Sequence, residues 1–522
     1  MTIKKQLIEH LATALKNVGV YFVPTVDYPD DPRHGDYATN VALVAAKKLG
    51  KQPMELGEEL KKNFLALSFI ERIEVVKPGF INFWISYKAL LNEKTIANIG
   101  KGKAVIVEYS SPNIAKPFTI GHLRSTIIGD AIANLLEATG WDVKRDNHIG
   151  DWGTQFGKQI YAIKHWGNEE EIEQSKQPVK LLVELYIKFH DEAEKNPQLE
   201  DEAREWFKKL EDGDPEARRL WQKCITWSWN EFDHIYTLLN VSFTENKGKG
   251  YGESFFEDKM SLVVDELKEK ELLKEGENGA KLVFFPNDEL PPLMILKQDG
   301  ASLYATRDLA TDKFRLDTYG KDVVIINEVG TEQSLYFKQL FKLEEMLGWV
   351  TKNQRIHVKH GLYRFKEGKM STRKGNVIWL KDVLEEAGKR AFAIMDEAKK
   401  QLQLSAYEQA LLGLKVGIGA IKWSDLKRSA EQDITFDWDD MLTMQGNSGP
   451  YIQYTYARTQ SVLRKDQTAK IKQQKLEEGF QLEVEERDLL RLLSRFPEVV
   501  EEAALRFAPN MLCSYLFEVA QA

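Results

Sequence analysis

Among the 522 residues of this chain, Gly121-His122 is the pair best placed to do chemistry. It stands where a loop, Asn113 to His122, gives way to a helical pattern. That loop follows an apolar run, Ala104-Val105-Ile106-Val107, which reads as a buried strand ending at Glu108-Tyr109. A glycine carries no side chain, so a flat ring or a phosphate can approach its backbone. A helix start offers unpaired N–H groups and a partial positive charge, which suits an anion. His122 adds a hydrogen-bond donor at the same place. Such a site can hold ATP without either common phosphate motif. The chain has no G-x-x-x-x-G-K-[ST], and no G-x-G-x-x-G after a strand.

The elements that position this pair are legible. Leu123, Ile127, Ile128, Ala131, Ile132, Leu135 and Leu136 fall at helical spacing, Gly140 stops the helix, and a strand follows around Val143. Strand–helix–strand units take ligands at the carboxyl ends of their strands. Farther along, Tyr304 and Asp308 are spaced i,i+4 and share a helix face. Val323–Ile326 reads as a buried parallel strand, with Gln333 shortly after it. Lys352, Arg355, Lys359, Arg364, Lys366, Lys369, Arg373 and Lys374 face a single acid, Glu367, and bracket the loop Lys369-Met370-Ser371. His357 and His360 have no third ligand cluster near them and read as structural, so no metal site is expected.

Composition bounds the rest. Apolar residues at 43% and charged residues at 29% are those of a globular protein of about three domains. No apolar run approaches a membrane span, and the start, Met1 to Gln6, has no apolar core behind it. Two distant cysteines, Cys224 and Cys513, exclude a disulfide framework and point to the cytoplasm. A net charge of −8 argues against a nucleic-acid partner only in total, since phosphate binding needs local positive patches.

Thr119-Ile120-Gly121-His122 resembles the H-I-G-H motif of class I aminoacyl-tRNA synthetases, and Lys369-Met370-Ser371-Thr372-Arg373 resembles their K-M-S-K-S motif. The run Val107 to Lys116, followed by Gly121-His122-Leu123-Arg124-Ser125-Thr126, is similar to arginyl-tRNA synthetases in particular. Gly35 to Asn40, Pro78 to Phe83, and Gly446 to Arg458 resemble the N-terminal and anticodon-binding domains of that family. The implied fold is α/β. It comprises a Rossmann-like parallel-sheet catalytic domain with a helical insertion, a small α+β N-terminal domain and an all-α C-terminal anticodon-binding bundle. The expected boundaries are 1–100 for the tRNA-contacting N-terminal domain and 101–350 for the catalytic domain, with its insertion at about 166–255. The region of the second motif follows at 351–404, and the helical bundle at 405–522.

The resemblance implies activation of L-arginine with ATP and Mg2+, transfer to tRNA(Arg), and a monomer. It assigns the amino-acid pocket to Glu108, Asn113, Tyr304, Asp308 and Gln333. A guanidinium is planar and always charged, so Asp308 can accept its paired donors, Tyr304 can lie against its face, and Glu108 can offset its charge. ATP falls to Thr119, Gly121, His122, Lys369, Met370 and Ser371. Lys116, His122, Lys369, Arg373 and Lys374 would stabilise the charge on departing pyrophosphate. Tyr451, Gln453, Tyr454 and Arg458 would meet tRNA.

Three departures stand out. Thr119 replaces the first histidine of the first motif, and Thr372 replaces the second lysine of the second, for which Lys116 would compensate. The chain ends at Gln521-Ala522 within a helical pattern, short of the length expected for the family. His148-Ile149-Gly150-Asp151 is a second H-I-G read as a decoy, because Asp151 stands where a histidine is needed. Two alternatives remain: a small-molecule nucleotidyltransferase of the same superfamily, and a catalytically weak tRNA-binding paralogue.

Overall fold

The computed structural model describes residues 2–64, 67–365, 378–395, 404–468 and 482–522. By contacts the chain divides into two units. One comprises Met1–Lys101, Ala138–Gly140 and Ile452–Ala522, and the other Gly102–Glu137 and Trp141–Tyr451.

The first unit opens with α1 (Ile3–Asn17), whose Leu7, Leu11, Ala14 and Leu15 form a buried stripe. Then come β1 (Tyr37–Thr39), α2 (Val41–Leu49), α3 (Pro53–Lys61), β2 (Ile70–Val76), β3 (Phe80–Ile85) and α4 (Tyr87–Asn92). The pattern Tyr37–Leu49, which reads as one helix, splits in two. Tyr37 and Thr39 face inward and pair antiparallel with Phe83 and Ile81, so the strand ladder takes backbone groups that a helix would use. A hairpin turns at Pro78-Gly79 between β2 and β3. Beside it Asp36, 1% exposed, accepts from the Ile85 N–H at 2.6 Å and from Nε of Arg491 at 2.6 Å.

The second unit is built on four parallel strands, β4 (Ala104–Glu108), β5 (Asp142–Asp146), β9 (Val324–Gly330) and β10 (Arg355–His360), in the order β10-β9-β4-β5. Val105, Ile106 and Val107 are buried, as a strand covered on both faces requires. The crossover helix α5 (Ile120–Ala138) is buried well beyond one stripe, and Ala131 is only half-buried. Its polar Arg124 is 1% exposed and donates to Asp425, to the Gln432 carbonyl at 2.7 Å and to the Ala430 carbonyl at 3.1 Å. Gly129 admits the close approach, since a Cβ there would lie 2.2 Å from the Tyr109 side chain.

Between β5 and β9 run α6 (Gln155–Trp166), α7 (Glu169–Gln174), α8 (Pro178–Lys195), α9 (Gln198–Glu211), α10 (Pro215–Leu239) and α11 (Met260–Glu269). Trp227 and Trp229 are buried there. Leu282 is not part of the parallel sheet. That residue lies in a separate antiparallel sheet of β6 (Leu273–Glu275), β7 (Lys281–Val283) and β8 (Leu293–Leu296). The parallel sheet is regained after α12 (Tyr304–Tyr319), at β9, and α13 (Ser334–Leu347) carries the chain to β10.

β11 (Tyr363–Arg364) pairs with β12 (Ile434–Thr435), and α14 (Leu380–Ile394) packs on α15 (Ala406–Leu426). Glycines permit that packing: a Cβ at Gly417 would sit 2.5 Å from the Ala387 backbone, and one at Gly413 2.6 Å from the Gly388 carbonyl. α15 thus belongs with the sheet's unit, whereas the sequence pattern groups everything from 405 onward. After α16 (Trp438–Leu442), α17 (Gly449–Thr468) spans the division between the units, and α18 (Val484–Ser494), α19 (Phe496–Leu505) and α20 (Pro509–Gln521) finish the first. Among the described residues no helix is long and apolar enough to cross a membrane.

Candidate active site

Strand order reverses between β4 and β9, so a crevice opens at their carboxyl ends. In register there, Glu108 pairs with Asn327 on one side and Asp146 on the other. The first turns of α5 reach the same edge. Ser125 Oγ accepts from the Ser110 N–H at 2.9 Å and donates to the Glu328 carbonyl at 3.0 Å.

A small cavity of about 20 Å³ is lined by Glu108, His148, Asp308, Asp312, Arg315 and Asn327, among others. Burial would raise Glu108, but the Arg315 guanidinium outweighs it and brings the carboxyl to about 2. Arg315 donates to Glu108 Oε2 at 2.5 Å, Asp146 Oδ2 at 2.7 Å and Asp312 Oδ1 at 3.0 Å. Asp312 continues to Arg355 at 2.6 Å, and Arg355 to Glu344 at 3.0 Å. Glu108 therefore already holds an internal guanidinium, which the sequence reading did not foresee.

The same network corrects the basic run. Arg355 is 8% exposed on β10 and is spent on Asp312 and Glu344, because strand alternation turns it toward α13. Arg364 pairs with Asp433 at 2.5 Å but stays more than half exposed, so of the two only Arg355 is withdrawn from the basic run. His360 Nδ1 lies 2.8 Å from Glu328, and His357 Nε2 3.0 Å from the Val329 carbonyl.

Asp308, on the first turns of α12, keeps 28% of its side chain exposed, yet burial still raises its carboxyl above the ordinary range. Its Oδ2 accepts from the Tyr336 hydroxyl, and its Oδ1 lies 3.9 Å from His148 Nε2. Tyr304 is exposed and meets Tyr336 edge-on at 4.9 Å. Gln333 is exposed in the short turn Thr331–Gln333 that ends β9. Asn113 lies beside Gly150, where a Cβ would come within 2.2 Å of its Oδ1, and Ile114 donates to the Gly150 carbonyl at 3.0 Å.

His148, which the sequence offers only as part of a decoy motif, lines this cavity. Its position just past β5 was the signal available, since strand ends at a switch point carry ligand-facing groups.

The loop into α5 carries Lys116, half-buried, whose ammonium burial shifts downward against the opposing pull of Glu253. The Thr119 N–H donates to His122 Nδ1 at 3.1 Å, with Thr119 Oγ1 also at 3.1 Å. Nδ1 therefore accepts, and the proton of the neutral ring sits on Nε2. Burial brings His122 to about 4, so the ring is neutral at physiological pH. Gly121 is exposed, leaving its backbone open to a ligand.

Lys369, Met370, Ser371, Arg373 and Lys374 lie outside the described residues. The flank that follows them is tied to the first motif: Ile120 donates to the Ile378 carbonyl at 3.2 Å, and Leu380 to the Phe118 carbonyl at 2.9 Å.

On α17, Ser448 Oγ accepts from the Tyr451 N–H at 3.3 Å and donates to Thr443 at 2.6 Å, which caps the helix beside Pro450. Tyr451 and Gln453 are half-buried, whereas Tyr454 is 50% exposed with the Arg458 guanidinium 5.8 Å from its ring.

A parallel sheet with an acidic crevice at its switch point, beside a Gly-His helix start, is the arrangement of the class I aminoacyl-tRNA synthetases. Residues 86–438 match the family described as tRNA synthetases class I (R), catalytic domain. Residues 2–85 match the arginyl tRNA synthetase N terminal domain, and 452–522 the DALR anticodon binding domain. An arginine–tRNA ligase of Fusobacterium nucleatum is 43% identical over 93% of this chain and 85% of its own length. One from Clostridium perfringens is 41% identical over 100% and 90%. Among solved structures, the arginyl-tRNA synthetase of Plasmodium falciparum superposes with a TM-score of 0.80 at 25% identity, covering 100% of this chain and 92% of that one. That of Thermus thermophilus gives 0.82 at 24% identity, with coverages of 100% and 91%. The chain belongs to the arginyl-tRNA synthetase family.

Proposed function

We infer that this protein joins L-arginine to tRNA(Arg) in two steps. An oxygen of the arginine α-carboxylate attacks the α-phosphorus of ATP, the bond to the bridging oxygen breaks, and pyrophosphate leaves. A terminal ribose hydroxyl of the tRNA then attacks the carbonyl carbon of arginyl-adenylate and expels AMP. Neither step needs a covalent enzyme intermediate, so catalysis lies in alignment and charge stabilisation.

The observation that carries this reading is the shared sheet edge: Glu108 and Asp308 line one cavity there, and Ser125 ties the His122 helix turn to the ends of β4 and β9. Asp308 is the receiving acid for a guanidinium, and Tyr304, which packs on Tyr336, is assigned to its flat face. Glu108 adds negative charge but is shared with Arg315. Asn113 and Gln333 are assigned to the α-ammonium and α-carboxylate. Gly121 and the neutral Nε2–H of His122 suit a phosphate, and Lys116 supplies positive charge from the same loop. The segment with Lys369, Met370, Ser371, Arg373 and Lys374 is assigned to the triphosphate, and Tyr451, Gln453, Tyr454 and Arg458 to the tRNA.

Magnesium accompanies the nucleotide in this reading. Action as a monomer belongs to the same reading.

A weak paralogue is the second reading, and Thr119 motivates it. The backbone N–H of residue 119 speaks against it, because it fixes the His122 tautomer whatever side chain stands there, so the change from histidine to threonine leaves that ring in a usable state. Charging of total tRNA with labelled arginine tests the choice. Acid-labile arginyl-tRNA is expected, and tRNA binding without charging would favour the paralogue.

A further inference from the structure

We propose that His148 is a specificity-determining residue of the amino-acid pocket, its Nε2 accepting a hydrogen bond from the cationic side chain of the substrate. The inference rests on the arginine reading above and adds a residue to it.

The tautomer follows from one contact. His148 Nδ1 lies 3.2 Å from the Tyr251 carbonyl oxygen, which can only accept, so Nδ1 carries the proton. In the neutral ring Nε2 then presents a lone pair. That atom is buried and has no hydrogen-bond partner among the described residues. Buried polar atoms are ordinarily paired, so one left open inside a candidate pocket is reserved for a ligand. The ring cannot easily turn elsewhere: its side chain is 12% exposed and packs on Phe256 at 5.7 Å between centroids.

The surrounding acceptors are mostly committed. Tyr336 holds Asp308 Oδ2, and Arg315 holds Glu108 Oε2. Asp308 Oδ1 and His148 Nε2 remain, 3.9 Å apart, too far to bond one another. They form two neighbouring acceptors for the parallel N–H groups of a planar fork, the geometry a guanidinium presents. The cavity at their meeting point has room for about one water, and one NH2 of the fork takes that place, entering from the side where Asp308 remains exposed.

Two substitutions separate this role from a structural one. His148→Asn keeps a donor near the Nδ1 position for Tyr251 and removes the acceptor at Nε2. His148→Gln does the reverse. Steady-state ATP–pyrophosphate exchange by the full chain, with tRNA(Arg) present, reads KM for arginine and for ATP. His148→Asn is expected to raise the arginine KM about ten- to a hundredfold while leaving the ATP KM within about twofold, the size of a lost bond to a charged group. His148→Gln is expected to restore most of the loss. A wild-type arginine KM in His148→Asn, or an equal rise in both KM values, overturns the proposal. Should His148→Asn fail to fold, a tenfold rise in the arginine KM of folded His148→Gln overturns it instead. Absence of arginine-dependent exchange in the wild-type chain would count against the proposed function and not against this residue.

Discussion

The backbone N–H of Thr119 donates to Nδ1 of His122 at 3.1 Å, and that contact decides which nitrogen of the imidazole faces a ligand. With its value brought to about 4 by burial, His122 stays neutral through the physiological range. Nitrogen chemical shifts at pH 6 are expected to report an uncharged ring with the proton on Nε2. Because the unfolded chain protonates this ring near 6.5 and the folded one near 4, the ring's contribution to stability declines as pH falls through that window. His122→Ala should slow adenylate formation by about 10²–10³, measured in a single turnover, as for other lost transition-state donors.

Lys116 sits in the same loop. Lys116→Ala is expected to depress the rate of adenylate formation by about 10²–10³ while changing ATP affinity by only a few fold. An unchanged rate would refute its role. Burial lowers the ammonium below the ordinary 10.5, so the alkaline fall in activity should begin below that value and be absent from the alanine variant.

The buried network behind the pocket predicts a stability effect. Arg315 alone faces Glu108, Asp146 and Asp312, and Arg315→Met would leave three buried carboxylates short of a partner. A loss of about 3–5 kcal/mol is expected in urea melts. Glu108, at about 2 when folded against 4.5 ordinarily, contributes stability that is full above 4.5 and lost as pH falls toward 2. In Glu108→Gln that acid-side slope should flatten.

Gly417→Ala brings a Cβ within 2.5 Å of the Ala387 backbone, which cannot yield as a side chain tip can. Alanine favours a helix over glycine by about 1 kcal/mol, but overpacking costs about 1–3 kcal/mol, so a net destabilisation is expected in denaturant melts.

What the sequence made legible was whatever repeats locally. The apolar run at Val105–Val107 and the helix after Gly121 each follow from short-range patterns. What it hid depends on partners far along the chain. Arg355 looked like a free cation because Asp312 and Glu344, which neutralise it, belong to other elements. Tyr37–Thr39 looked helical because its strand partner, Phe80–Ile85, is distant in sequence. His148 resembles no helix-start motif because it stands just past the end of a strand, at the lining of the cavity. Glu108 was placed correctly at the sheet edge, but Arg315, which shares it, left no local trace.

The central claim is that an acidic pocket for arginine and a nucleotide site share one sheet edge. ATP–pyrophosphate exchange, run with each of the twenty amino acids in the presence and absence of tRNA(Arg), tests it most directly. The account predicts exchange with arginine alone among them, strongest with the tRNA present. Exchange that is indifferent to the amino acid, or none at all under saturating arginine and tRNA, would contradict it.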